Sequence, residues 1–285
     1  MVLIFGFTAI LGQLISIHTL GLVFFRTFLA SSGFYIYFKI KGLSIKIDRK
    51  GLWQLLATGG FIVSLHWFTF FYAAKVSTVA ISLAGIATTS LWTSFIEPFW
   101  KKQRIKAIEV MLGLVVIIGL YFIFLFEFNH IWGILLGVTS GFLGAIFSVL
   151  NGQFAKRYPP QLITFYEMLG VAISTIIPIL YFIIFGDGTI SVIPKGFDWL
   201  WIFILAFVCT IYAYTESVNL VRIFSAYTFT LTLNLEPVYG ILFAYLIFGE
   251  KERMTSGFYL GTLIILGSVL IYPLLRRTTQ KTSIL

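Results

Sequence analysis

The chain alternates between long apolar runs and short polar segments. Ten runs approach the roughly 20 residues that an α-helix needs to cross a bilayer. They cover residues 2–17, 20–38, 52–74, 77–98, 108–126, 131–150, 161–185, 198–218, 224–247 and 256–275. None shows the period-two alternation typical of a membrane barrel, and a backbone in hydrocarbon has to satisfy its own hydrogen bonds. The pattern therefore predicts an all-α membrane protein with ten transmembrane helices.

Composition agrees with this interpretation. Hydrophobic residues make up 59% of the 285 residues and charged residues 11%, against roughly 25% charged residues in a soluble domain. The longest linkers, 39–50 and 186–197, are too short to hold a soluble domain. The single cysteine, Cys209, excludes an internal disulfide and a cysteine-based metal site. The first run has no basic region before it, so we interpret it as a helix and not as a removed signal.

The formal net charge of +9 is distributed unevenly between the two predicted membrane faces. Fifteen of the 20 basic residues fall on one face: Lys39, Lys41, Lys46, Arg49, Lys50, Lys101, Lys102, Arg104, Lys106, Lys156, Arg157, Arg222, Arg276, Arg277 and Lys281. Basic loops stay in the cytoplasm, so we expect a multi-pass protein of the inner membrane with both termini cytoplasmic. The bilayer accounts for the positive surplus, and no nucleic-acid partner is expected.

A shift of 148 residues relates the two halves of the chain. Three pairs then coincide: Ser77 with Ser225, Gly113 with Gly261, and Gly119 with Gly267. The basic loop 101–106 corresponds to loop 250–253, which carries two acids and two bases, as expected if halves of five helices run in opposite directions. We expect two inverted five-helix repeats, a property of many secondary transporters. The expected boundaries are 1–128, 129–277 and a short cytoplasmic tail, 278–285.

Glu236 is the most informative ionisable residue, because it lies near the middle of the ninth run and directly precedes Pro237. On a continuous helix Thr232, Glu236 and Tyr239 share one face, and Asn234 faces elsewhere. Proline breaks the hydrogen bonding of the backbone, and a polar stripe beside a broken backbone at membrane depth suits a water-filled pathway. The alternative is internal hydrogen bonding between helices.

Other polar and aromatic residues inside the runs are also candidates. Arg26 and Glu167 lie deep in the second and seventh runs, where ionisable groups are costly and mark either function or structural pairing. His66 and Trp67 lie on or beside an aromatic face of the third run, which suits binding of an organic solute or an ammonium group by cation–π attraction. That face also suits an ordinary core. Small residues spaced by four, Gly133, Gly137 and Gly141, predict close helix packing.

Three stretches carry a resemblance to a known family. They are Leu235-Glu236-Pro237-Val238-Tyr239, then Phe248-Gly249-Glu250 followed by Gly261 and Gly267, and Phe25-Arg26-Thr27-Phe28. They resemble the proline-bearing ninth helix, the Gly-Glu loop, the glycine-bearing last helix and the arginine-bearing second helix of the drug/metabolite transporter superfamily, in its ten-helix EamA branch. The first half departs from the pattern, with Thr88-Thr89 at the places of Glu236-Pro237. The resemblance implies a secondary transporter with a central cavity between its halves.

We therefore expect alternating-access transport of a small organic metabolite, most plausibly amino-acid-like and outward. Tyr239, Trp67 and Tyr214 would contact the solute, and Glu236 would orient a cationic group or carry a coupling proton. No enzyme motif is present and no cofactor is expected. Two alternatives stay open, namely flipping of a lipid-linked head group and a non-transporting membrane assembly component. The sequence leaves the oligomeric state open.

Overall fold

The computed structural model describes residues 1–185 and 191–282. Part of the predicted loop 186–197, residues 186–190, and the last three residues of the predicted tail lie outside the described residues. The helices are α1 Val2–Leu14, α2 Thr19–Ile40, α3 Arg49–Val76, α4 Val79–Lys101, α5 Ala107–Phe126, α6 Phe128–Phe154, α7 Pro160–Phe185, α8 Asp198–Ile223, α9 Ala226–Glu252 and α10 Ser256–Thr282. No strand occurs within this described part.

Every predicted apolar run falls on one of these helices. Within the described chain, the eight helices α2 to α9 are long and apolar enough to cross a membrane. The other two apolar helices, α1 and the Ser256–Ser268 part of α10, are shorter. Helix α10 continues to Thr282, so residues 278–282 of the predicted tail are helical. The structure is thus an all-helical membrane protein.

Two of the helices, α4 and α9, are interrupted near their middle. Helix α4 is regular over Val79–Ile86 and begins again at Thr89. Helix α9 is regular over Ala226–Leu233 and begins again at Glu236. Pro237 is therefore in the first turn of a new helix, where its missing N–H costs nothing. The backbone of α9 is broken beside Pro237 as expected, and because of this break Thr232, which is exposed, does not share a face with Glu236, which is buried.

Each of the helices α4 and α9 has, near its end, a carboxylate that caps the start of the other helix. Glu97, near the end of α4, accepts hydrogen bonds from the backbone N–H groups of Ala226 and Tyr227 at 3.1 and 2.7 Å, at the start of α9. Glu252, at the end of α9, accepts from Val79 and Ala80 at the start of α4, both at 3.0 Å.

We call these two contacts the Glu97 clamp and the Glu252 clamp. A carboxylate favours the positive end of a helix and satisfies N–H groups that have no partner within it. Since each helix caps the other, α4 and α9 are antiparallel neighbours tied at both membrane faces.

Helices α3 and α8 each contain a π-helical segment, Thr58–Val63 in α3 and Leu205–Tyr214 in α8. The 148-residue shift places the first of these within the second. In α8 the hydroxyl of Thr210 donates to the carbonyl of Leu205, five residues earlier, at 2.8 Å. A π turn carries an extra residue and is found mostly at functional sites. Both segments lead into the parts of α3 and α8 that form the cavity described below.

Side chains join chain segments that the charge pattern assigns to the same face. Asp48, before α3, caps that helix by accepting from Gly51 N–H at 3.0 Å, and it also accepts from the Tyr158 hydroxyl in the loop before α7. These hydrogen bonds, with that of Tyr158 first, lower the pKa of Asp48. On the other face Ser16 donates to Asp198 at 2.7 and 2.8 Å. Asp48 thus joins the segment before α3 to the loop before α7, and Ser16 joins the end of α1 to the start of α8.

The close packing predicted for α6 is confirmed. A Cβ placed on Gly137 would lie 3.1 Å from Gly85 Cα, and one on Gly141 would lie 2.6 Å from the hydroxyl of Thr88, so α6 lies directly against α4 around its break. Helices α5 and α10 meet in the same way, since a Cβ on Gly261 would lie 2.4 Å from the Gly119 carbonyl oxygen. Small residues allow both approaches.

Gly59 provides a test of this packing. A Cβ there would lie 2.1 Å from the backbone oxygen of Glu167 on α7, so Gly59→Ala forces the two backbones apart. We expect it to destabilise the protein by about 1–3 kcal/mol, measured by thermal unfolding in detergent. Gly267→Ala is the matched control, because no described atom outside the adjoining backbone of its own helix lies within 4 Å of its Cβ position. Equal stability of the two variants would contradict the close contact of α3 and α7.

Candidate functional site

A cavity lies at the centre of the helices, beside both interruptions. Its lining comes from α1, α2, α3, α4, α6, α8 and α9, which leaves α5, α7 and α10 outside it. Most lining residues are apolar or aromatic, such as Phe70, Phe147 and Phe229, and the others include a few polar side chains. This composition is typical of a small-molecule site.

Five of the eight predicted site residues line this cavity, namely Arg26, His66, Trp67, Tyr214 and Glu236. The other three do not. Thr232 is exposed and donates to the carbonyl of Thr228 at 2.9 Å. Tyr239 packs near Gly6 of α1, and Glu167 lies behind Tyr214. The interruption of α9 explains the first two, because it removes the single face that the sequence analysis assumed.

Glu236 is the only carboxylate among the residues that line the cavity. It is the first residue of the second part of α9 and is 6% exposed. Among the described residues no Lys, Arg or His forms an ion pair with it. A buried carboxyl group without a protein partner is costly, and it therefore has the chemistry to hold a cationic group or a proton.

The structure places Asn234 in the cavity lining, although the helical-face argument predicted that it faces elsewhere. Asn234 lines the cavity and donates to the hydroxyl of Ser90 on α4 at 2.8 Å. Thr89, which begins the second part of α4, also lines the cavity. The two interruptions thus present polar groups to the same space. The sequence did contain a signal for this second interruption, because the 148-residue shift matches Thr88-Thr89 to Glu236-Pro237.

Arg26 provides the opposite charge. It is 1% exposed, its Nε donates to the Thr210 hydroxyl at 2.7 Å, and its guanidinium carbon lies 4.0 Å from the centre of the Trp67 ring. Its Nη1 has no hydrogen-bond partner among the described residues. Arg26 and Glu167 have separate hydrogen-bond partners in the structure, Thr210 for Arg26 and Tyr214 with Asn151 for Glu167.

His66 is held by α6. Its Nδ1 donates to the carbonyl of Ser140 at 2.8 Å and lies 2.9 Å from the hydroxyl of the same residue. Its ring packs edge-on against Phe147, with centroids 4.9 Å apart. These contacts fix the ring as part of the cavity wall.

Behind the cavity wall, Glu167 forms a buried network with Tyr214 and Asn151. One carboxylate oxygen accepts from the Tyr214 hydroxyl at 2.8 Å and from the Asn151 amide at 3.2 Å. The other oxygen has no partner among the described residues. The Tyr214 ring in turn packs against Trp67, with centroids 5.7 Å apart. Glu167 therefore positions Tyr214, which contacts the cavity directly.

The geometry can accommodate an organic molecule between a guanidinium and a carboxyl group, with aromatic rings around it. Within the described chain no three His, Cys, Asp or Glu side chains are grouped to bind a metal ion. The site therefore consists of organic side chains that bind by charge, hydrogen bonding and apolar contact.

Comparison with known proteins gives the family. Residues 131–272 match the model of the EamA-like transporter family. An "uncharacterized transporter" from Archaeoglobus fulgidus is 28% identical over 208 residues, covering 68% of this chain and 71% of that protein. A solved structure described as "Crystal structure of protein" has a TM-score of 0.70 over 97% of this chain and 95% of its own, at 17% identity, and so shows a shared fold. This chain is an EamA-type membrane transporter of the drug/metabolite transporter superfamily.

Proposed function

We propose that this protein is a secondary transporter that moves small organic metabolites, amino-acid-like solutes above all, out of the cell by alternating access. The observation that carries the proposal is the central cavity, which contains one buried guanidinium and one buried carboxyl group. Arg26 and Glu236 have the charges that an amino acid complements. The protein is a transporter and not an enzyme in this proposal, and it needs no cofactor.

We further propose that ten helices cross the membrane as two inverted repeats, residues 1–128 and 129–277. Three features recur in both halves and support this. The interruptions of α4 and α9 and the capping residues Thr78 and Ser225 correspond to within one residue of the 148-residue shift, and the π segment of α3 falls within that of α8. In such repeats the solute site lies at the interface between halves, often beside broken helices.

The two clamps suggest how access alternates. The Glu97 clamp ties the end of α4 to the start of α9 at one face, and the Glu252 clamp ties the opposite ends at the other. In the proposed mechanism, rocking of one half against the other opens one clamp while the other stays closed. The cavity between them is then exposed to one side at a time.

The orientation is part of the same proposal. The Glu97 clamp, with Lys101 beside it, lies on the basic face of the chain, which we assign to the cytoplasm of an inner membrane. Both termini then lie in the cytoplasm. The contact of Asp48 with Tyr158 joins two loops of that face, which supports the assignment.

Glu236 has the central role in the mechanism. It either binds the cationic group of the solute or takes up a proton that couples transport to the proton gradient. The absence of an ion pair to Glu236 among the described residues supports both uses. Thr232 and Tyr239 lie away from the cavity and carry no role in this proposal.

Reconstitution tests the function. Purified protein in liposomes, given a mixture of amino acids and related metabolites, is expected to move a subset of them faster than protein-free liposomes do. Mass spectrometry of the lumen identifies the transported solutes. Movement of a labelled lipid-linked head group without solute movement would instead indicate a flippase. Movement of neither would indicate a non-transporting membrane component and would contradict the proposal.

A further inference from the structure

Arg26 is a buried cation whose charge no carboxylate of the described chain balances. The ion pairs of the described residues are formed by Lys101, Lys106 and Arg253, and none involves Arg26. A guanidinium keeps its charge in proteins, and burial of an unpaired charge costs several kcal/mol. The position of Arg26 in the cavity lining, with Nη1 unpartnered, indicates that an anion from outside the protein completes this site.

Two contacts hold the guanidinium in one plane. The Trp67 ring lies against it at 4.0 Å, and the Thr210 hydroxyl accepts from Nε at one edge. A guanidinium with a fixed orientation suits a carboxylate, because two of its N–H groups can donate in parallel to the two carboxylate oxygens. Because the orientation is set before the ligand arrives, little additional order is required on binding.

The rest of the lining favours a carboxylate over a more highly charged anion. Among the described residues Arg26 is the only Lys or Arg that lines the cavity, and Glu236 places a carboxyl group in the same space. A phosphate dianion would be attracted by only one cation, Arg26, and repelled by the carboxylate of Glu236. A zwitterion would meet a complementary charge at each end, with its side chain against the rings of Phe70, Phe147 and Phe229.

We propose that Arg26 is the specificity-determining residue that binds a carboxylate of the transported solute, while Glu236 faces its ammonium group. This inference rests on the proposed function and deepens it, because it defines the substrate class as zwitterionic. Solutes lacking the carboxylate are bound poorly even when the rest of the molecule is unchanged.

The experiment compares matched solutes. Phenylalanine, phenylalaninamide, phenylpropionate and phenyl phosphate are tested against the full-length protein, with binding measured by thermal stabilisation in detergent. We expect wild-type protein to bind phenylalanine at least about tenfold more tightly than phenylalaninamide. In Arg26→Gln that ratio is expected to fall towards one. Thr210→Val keeps the charge but removes the edge contact, and it is expected to reduce the ratio partly.

The outcomes separate the inference from the function. A wild-type preference for phenylalanine that survives in folded Arg26→Gln, or a preference for phenyl phosphate over phenylalanine, overturns the inference. If Arg26→Gln does not fold, the same comparison with Arg26→Lys and Thr210→Val decides, because an unchanged ratio in both overturns the inference. Solute movement in liposomes without carboxylate discrimination leaves the function standing and rejects the role of Arg26. Discrimination in binding without movement supports Arg26 and rejects transport.

Discussion

Glu236→Gln is expected to reduce transport of an amino-acid-like solute by about tenfold or more. The substitution keeps the size of the side chain and removes the only carboxylate that lines the cavity. Loss of one member of a buried charge pair between ligand and protein costs about 2–5 kcal/mol. The measurement is the initial rate of uptake or efflux in liposomes for a solute identified by the reconstitution screen.

The same variant separates the two roles proposed for Glu236. If the carboxyl group carries a coupling proton, Glu236→Gln abolishes accumulation driven by a pH gradient but retains exchange of solute for solute. If it binds the ammonium group, both processes fall together. Glu250→Gln is the matched control, because Glu250 is exposed and pairs only with Arg253 among the described residues. Unchanged transport by Glu236→Gln across pH would show that neither role is correct.

Removal of either clamp is expected to expose the cavity to one side of the membrane. Glu252→Ala leaves two buried backbone N–H groups without an acceptor at the start of α4. Hydrogen bonds to charged groups contribute about 1.5–3 kcal/mol each, so the closed state of that face is weakened by a comparable amount. Glu97→Ala has the same effect at the start of α9.

Cysteine labelling measures the two effects. The native cysteine is first replaced by alanine, and a cysteine is introduced at Ser148, which lines the cavity. A membrane-impermeant maleimide is then expected to label the Glu252→Ala protein severalfold faster from the non-cytoplasmic side, and the Glu97→Ala protein from the cytoplasmic side. Glu250→Gln, next to the Glu252 clamp, is expected to leave both rates unchanged. Faster labelling from the same side in both variants would contradict opposed clamps.

Much of the cavity was predictable because it consists of polar residues within apolar runs. Arg26 and Glu236 cannot face lipid without a large cost, and such residues converge on the interior of a bundle for that reason alone. Trp67 and Tyr214 lie on two other helices, α3 and α8, and their place beside Arg26 depends on packing between helices. The existence and order of the helices were likewise encoded in run length, which the bilayer thickness fixes.

The parts of the fold and of the cavity that were not predictable depend on contacts between segments that are distant in the sequence. The angular argument for α9 fails at Asn234, since residues on opposite sides of an interruption do not share a helical face. Glu97 pairs with Lys101, four residues away, as local spacing allows, but its contact with Ala226 and Tyr227 joins segments far apart in the chain. An acid at the C-terminal end of a helix is unfavourable for that helix. Glu252 therefore carried a signal that its partner lay on another element.

Besides its proposed role in binding, Arg26 is hydrogen-bonded to the π segment of α8. The hydroxyl of Thr210 accepts from Arg26 and donates across the wide turn to Leu205. A π turn holds one residue more than a regular turn, and its migration along a helix rotates the residues it passes by about 100° without breaking the helix. We therefore expect a ligand that moves the guanidinium to act also on this part of α8, because the Thr210 hydroxyl is hydrogen-bonded to both.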